Sequence, residues 1–271
     1  MTAYDGLIMS DNNIQSVLVE NRSFPPPDGF ARNAYPDAAE LARLHEHAAR
    51  DPEGFWAEQA RSALVWHKPF TRTLDASAAP NYRWFTDGKL NVSWECLDVQ
   101  LAERRDDPAL IFEAEGGAVR RLTYGQLHAE VCRFANALRG LGVQQGDRVI
   151  IYMPMVPEAI IAMHACARIG AIHSVVFGGF SALSLRDRIE DAGARFVITA
   201  DGGHRGGKVV ELKSATDKAL AEGAASIEKV IVLRHTAHDV PMQPDRDLWW
   251  HDVVQGQPAH CEPEWVDAEH P

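Results

Sequence analysis

The stretch Ala159–Leu183, AIIAMHACARIGAIHSVVFGGFSAL, decides the fold. It runs for 25 residues with a single formal charge, Arg168, so length and apolarity alone would allow it to cross a bilayer. Its internal pattern argues otherwise. The first half keeps helical spacing, the middle is a β-branched run, and Gly170, Gly178 and Gly179 punctuate the two. A helix followed by a buried strand accounts for all of it.

The same alternation continues on both sides. DRVIIYM, residues 147–153, reads as a continuous apolar strand, followed by a helix from Pro157 to Ile169 and a strand from Ala171 to Phe177. A helix from Ser181 to Ala192, a strand from Arg195 to Thr199, a helix from Val210 to Ala221 and a strand from Lys229 to Arg234 come next. Repeated β-α units with fully apolar strands predict an α/β fold on a parallel, two-sided sheet. RDLWW, residues 246–250, reads as an amphipathic segment whose Trp249 or Trp250 anchors the last strand.

Upstream, TYGQLHAEVCRFANALRGLGV reads as a helix ended by Gly140 or Gly142, and ALIFEAE and RRLTY as strands around Gly116-Gly117. NVSWECLDVQLAERR, residues 91–105, reads as one helix. Before about residue 90 the chain is irregular, with Pro25-Pro26-Pro27, scattered aromatics (Trp56, Trp66, Trp84, Phe85) and helical spacing from Ala38 to Ala63. Asp51-Pro52-Glu53 stands in the order of a helix cap, first-turn proline and first-turn acid, so two helices are expected to meet there. This part reads as a helical and irregular cap on the α/β portion.

Composition narrows the partners. With 271 residues, 46% of them hydrophobic, the chain can fill a globular core. A net charge of -11 argues against nucleic acid or an anionic membrane, so any anion must be bound locally. Cys96, Cys132, Cys166 and Cys261 form no CxxC pair, which points away from zinc and disulfides and toward a reducing cytoplasm. Met1–Gln15 lacks the basic start and apolar core of a secretory leader. The pairs His128/Cys132, His45/His47 and His235/His238 lack the further ligands a metal needs, and no metal site is expected.

In a parallel sheet, ligands bind beyond the carboxyl ends of the strands. Three turns lie there: MPMVPE at 153–158, FGGFS at 177–181 and ITADGGHRGGK at 198–208. The last packs four glycines and two cations into seven residues, Gly202–Lys208. Gly202 with Gly207-Lys208 satisfies most of a nucleotide P-loop, but Val209 stands where a Ser or Thr must ligate Mg²⁺. Taken alone, the stretch is either a glycine-rich surface loop or a different phosphate site. In FGGFS, Gly178 and Gly179 turn a strand into a helix that Ser181 caps, while Phe177 packs either on a flat ligand or in the core.

Together, YRWFTDGKLNVSWECLD (82–98), RFANALRG…SLRDRI (133–189), VITADGGHRGGK (197–208) and RDLWWHDVV (246–254) resemble the N-terminal part of the AMP-forming acetyl-CoA synthetases, short-acyl members of the adenylate-forming superfamily. The resemblance runs from about residue 35 onward, with the propionyl-CoA synthetases as the nearest alternative. It implies a cap region over residues 1–105 and, over 106–271, an incomplete first α/β subdomain of the AMP-binding large domain. The family joins acetate, ATP and CoA into acetyl-CoA, AMP and diphosphate through an acetyl-adenylate. Its ATP phosphate loop, acyl pocket, ribose-binding acid and catalytic lysine have no counterpart here, and the chain reaches DAEHP where that loop is expected.

The resemblance therefore implies a fragment with no catalytic residue, inactive alone, able to dock with a missing C-terminal part. ATP and Mg would serve only the longer parent, and coenzyme A would be the ligand contacted here. The family's basic CoA positions map to Arg205 and Lys208, with Gly206 and Gly207 between them; relatives often carry Arg where this chain has Lys208. The glycine that borders the CoA site in relatives maps to Gly179; Gly178 beside it leaves room for a flat ligand, and Phe177 packs either on the adenine or in the core. A non-catalytic CoA- or nucleotide-binding module is the alternative reading.

Overall fold

The computed structural model describes residues 23–271; Met1–Gln15, read above as carrying no leader, lies outside them. The chain divides into two compact units, Met1–Trp56 and Ala57–Pro271. In the first, helix α1 (Ala38–Arg50) is capped by the Asp37 carboxylate, which accepts the Glu40 N–H at 2.8 Å. Asp51 accepts the Gly54 N–H at 2.9 Å and opens α2 (Pro52–Ala63), so the two helices meet where the Asp-Pro-Glu order places the junction.

The second unit begins with an antiparallel pair, β1 (Arg72–Asp75) and β2 (Arg83–Thr86). The helix expected over 91–105 is broken into α3 (Val92–Cys96), a 3₁₀ turn at Asp98–Gln100 and a turn of helix at Leu101–Arg104. Tertiary bonds override helical propensity there. The Asn91 amide donates to the carbonyls of Ala167 and Glu264, and Asp98 is drawn onto Arg168, which donates to it twice at 2.7 and 2.9 Å. The hairpin β3 (Pro108–Glu113) and β4 (Val119–Thr123) follows. Helix α4 (Tyr124–Gly140) then starts from a full capping box, with Thr123 and Gln126 each accepting the other's backbone N–H.

The α/β portion runs β5 (Arg148–Tyr152), α5 (Pro157–Arg168), β6 (Ile172–Val175), α6 (Ala182–Ala192) and β7 (Phe196–Ala200). A small hairpin, β8 (Gly203–Arg205) and β9 (Lys208–Val210), precedes α7 (Leu212–Ala221), β10 (Lys229–Leu233), β11 (Asp247–Trp249) and α8 (Trp250–Val254). The opening stretch is thus helix, strand, turn and helix start. No helix among the described residues is long and apolar enough to cross a membrane.

The five strands of the sheet lie in the order β6-β5-β7-β10-β11, all parallel. The edge strand β11 was not read from sequence as a strand: Asp247-Leu248-Trp249 pairs with Val230-Ile231-Val232. Trp250 does anchor this end, stacked on Phe134 with ring centroids 3.7 Å apart. Alternate residues of each strand face opposite layers. Val149, Ile151, Ile198 and Ile231 join the core with α4 and α5, while Ile150, Tyr152, Val197, Val230 and Val232 join the core with α6 and α7. Each such aliphatic side chain contributes about 1.5–3 kcal/mol by burial, and both faces being covered explains the unbroken apolar runs.

Candidate functional site

The strand order places a crevice. From β5 the chain passes to β6 at one edge, then returns across β5 to β7 on its other side. Connections leaving β5 and β7 in opposite directions part at their carboxyl ends, which is where open α/β sheets hold ligands. Residues 153–156, 176–181 and 201–210 all leave the sheet at that end.

The glycines show how closely these segments approach. A Cβ on Gly178 would lie 3.2 Å from the Met153 carbonyl oxygen, one on Gly203 would lie 2.9 Å from Pro154 Cβ, and one on Gly179 would meet the Phe177 ring at 2.6 Å and an Arg205 guanidinium nitrogen at 2.8 Å. A side chain at Gly203 would press on Pro154, and one at Gly179 would have to push aside the exposed Phe177 ring and Arg205 guanidinium. The Tyr152 hydroxyl donates to the Phe180 carbonyl at 2.8 Å and pins the FGGFS turn to its strand. Ser181 caps α6 by accepting the Ser184 N–H at 3.3 Å.

The glycine-rich stretch is not an open loop. Gly203–Arg205 and Lys208–Val210 pair antiparallel, with Arg205 opposite Lys208 and Gly206-Gly207 as a two-residue turn. Both turn residues have positive φ, +59° and +71°, as a type I′ turn demands and as glycine supplies without strain. The two cations stand side by side at the hairpin tip, both exposed, and neither forms an ion pair with a described carboxylate. Arg205 lies over the Phe177 ring, 5.2 Å from its centroid. Phe177 is 55% exposed, which rules out its reading as a core residue. The Gly207 N–H donates to the Glu115 carboxylate at 2.9 Å, bringing the β3–β4 turn to the hairpin tip.

Behind the hairpin sits a residue that sequence reasoning missed. Asp201, fully buried, is the first residue past β7; its carboxylate accepts backbone N–H groups from Gly202 (2.7 Å), His235 (2.9 Å), Thr236 (2.9 Å) and His238 (3.2 Å). Burial alone would raise its pKa, but the N–H donors of Thr236, His235 and Gly202 outweigh that and hold it low. Asp201 thereby ties the root of the hairpin to the segment that leaves β10. An acidic residue just before a glycine pair was the one available signal.

The remaining charge clusters are structural. His128 donates to the Asp98 carboxylate at 3.1 Å and lies 3.6 Å from the Cys132 sulfur, so the pair sits beside the acid that Arg168 grips. Hydrogen bonding to Asp98 pushes His128 up to about 9. Burial would raise Asp98, yet its bonds to Arg168 and His128 together bring it down to about 2. Lys213, wholly buried at the start of α7, bonds Asp217, Asp247 and the Pro241 carbonyl. No group of three or more His, Cys, Asp or Glu among the described residues is arranged to hold a metal ion.

Comparison with known proteins matches this architecture. Residues 97–271 match the family described as AMP-binding enzyme, and residues 41–96 match the acetyl-coenzyme A synthetase N-terminus. Curated relatives include the acetyl-coenzyme A synthetases of Nitrosomonas europaea, 55% identical over 260 residues, and Thiobacillus denitrificans, 58% identical over 260 residues. Each comparison covers 95% of this chain and 40% of the relative, so the chain spans about 40% of the length of these relatives. Among solved structures, acetoacetyl-CoA synthetase from Streptomyces lividans superposes with a TM-score of 0.78 at 26% identity, covering 96% of this chain and 38% of that one.

Proposed function

The chain belongs to the AMP-binding enzyme family, and from that membership we propose that it supplies the cap and part of the coenzyme A site of an acetate–CoA ligase. The ligase joins acetate, ATP and CoA through an acetyl-adenylate. In this reading residues 1–105 form the cap region and 106–271 the first α/β subdomain of the large domain, with ATP and Mg²⁺ engaged elsewhere in the longer protein. The short-acyl assignment is supported by relatives named acetyl-coenzyme A synthetases; a propionate-specific ligase is the alternative.

One observation carries the CoA reading: two exposed cations, Arg205 and Lys208, with no ion pair among the described residues, project from a hairpin beside an exposed aromatic ring on a chain of net charge -11. A terminal phosphate placed between them gains charge-assisted hydrogen bonds, and the adjacent Phe177 offers a flat face to a purine. Gly206 and Gly207 keep the tip free of side chains, and Gly178 and Gly179 hold the neighbouring turn close. Lys208 acts as a point charge, while the Arg205 fork fixes direction.

The test uses a full-length protein that contains this chain. Arg205→Ala is expected to raise KM for CoA about tenfold, the equivalent of one charge-assisted bond at the low end of about 1.5–3 kcal/mol because the site is exposed. KM for dephospho-CoA, which lacks the 3′-phosphate, is expected to stay within about twofold of the wild-type value by the same reasoning. An equal rise for both ligands would assign Arg205 a role in folding or in general CoA attraction and would overturn the phosphate assignment.

A further inference from the structure

Resting on the reading of the hairpin tip as a phosphate site, we infer that Glu115 is an internal occupant of that site, a carboxylate that an incoming phosphate must displace. Its oxygen accepts the Gly207 N–H at 2.9 Å across 92 residues of sequence. That amide belongs to the turn that separates Arg205 from Lys208, so the carboxylate takes a donor in the position a phosphate oxygen would use. Glu115 pairs with neither cation, so the site keeps its attraction for an anion while its backbone donor is already filled.

The contact is built in rather than incidental to a loose loop. Glu115 sits in a turn closed by two backbone bonds, Ala114 N–H to the Ala118 carbonyl and Gly117 N–H to the Ala114 carbonyl, both 2.8 Å. The opposing turn is fixed by the β8–β9 pairing. Two hydrogen-bonded turns therefore meet tip to tip through one charge-assisted bond between exposed groups, which can open without disturbing either core.

The consequence is a hairpin tip whose affinity for anions is held down by its own carboxylate. A singly charged anion gains little from Arg205 and Lys208 and must still displace a carboxylate of equal charge. A phosphate dianion draws on both cations and wins the exchange. Glu115 then repels the bound phosphate from nearby, so its presence lowers affinity for every anion, while the preference for a dianion comes from Arg205 and Lys208.

Adenosine 3′,5′-bisphosphate is the probe, titrated calorimetrically into the 271-residue chain and its variants. Glu115→Ala is expected to bind it about three- to tenfold more tightly than the wild type, with Glu115→Gln, which keeps an acceptor but no charge, in between. Equal or weaker binding by Glu115→Ala would overturn the inference and make Glu115 a latch that holds the hairpin in its binding conformation. Arg205→Ala separates the two levels of the argument. If it weakens the bisphosphate while Glu115→Ala fails to tighten it, the displacement idea alone falls; if it leaves binding unchanged, the phosphate site falls and this inference with it.

Discussion

Asp201→Ala is expected to destabilise the fold by about 2–4 kcal/mol, because it strands one buried and three part-buried backbone donors, the buried one costing about 1–3 kcal/mol when unpaired and the others less because water reaches them. The donors are the N–H groups of Gly202, His235, Thr236 and His238, and the carboxylate is wholly buried. Asp201→Asn keeps one acceptor oxygen and should lose roughly half as much, since three of the four bonds fall on a single oxygen. Because the folded carboxyl is held below its ordinary value, its stabilisation is present above the unfolded pKa of about 3.9 and fades as pH falls through the lower folded value. Urea midpoints for the three proteins at neutral pH check the order. A loss under about 1 kcal/mol for the alanine variant would show that solvent replaces the carboxylate.

Arg168→Leu should cost somewhat more, roughly 3–5 kcal/mol, since it breaks a buried pair by removing one partner. Arg168 is 1% exposed, grips Asp98 with both terminal nitrogens and donates through Nε to the Cys261 carbonyl at 2.6 Å. The same cluster gives the protein an alkaline limb. His128 is raised to about 9 in the folded chain, so its contribution is complete below about pH 6.5 and is lost as pH rises through about 9. Asp98, lowered to about 2, works in the other direction: its contribution is present above about pH 4 and is lost as pH falls through about 2. Stability of the wild type should therefore drop by up to about 3 kcal/mol between about pH 6.5 and 10, and His128→Gln should flatten that limb. Equal slopes in the two proteins would contradict the His128–Asp98 pairing.

The β-α alternation was legible because both sheet faces are buried, which writes each strand as a short apolar run bounded by glycine or a cap. What escaped was carried by contacts distant in sequence. The 91–105 segment has helical spacing, yet Asp98 answers to Arg168, 70 residues away, and the helix breaks. β11 is three residues with a buried aspartate, too short for any periodicity to register. At the site, Arg205 and Lys208 could be named from their spacing with the glycines, but their alignment across a hairpin could have been inferred only from Gly206-Gly207 as a turn signal. Whether Phe177 faced core or solvent was undecidable from an aromatic beside two glycines. Asp201 is held chiefly by backbone N–H groups 34 to 37 residues away, which leave little side-chain pattern to find.

The most direct test of the CoA assignment is the ratio of dissociation constants for dephospho-CoA and CoA, measured on the 271-residue chain by equilibrium titration at low salt. The 3′-phosphate between Arg205 and Lys208 should make that ratio about ten, falling toward one in the Arg205→Ala, Lys208→Ala double variant and falling also as salt screens the exposed pair. A wild-type ratio of one, with both ligands bound, would mean that the hairpin does not read the phosphate.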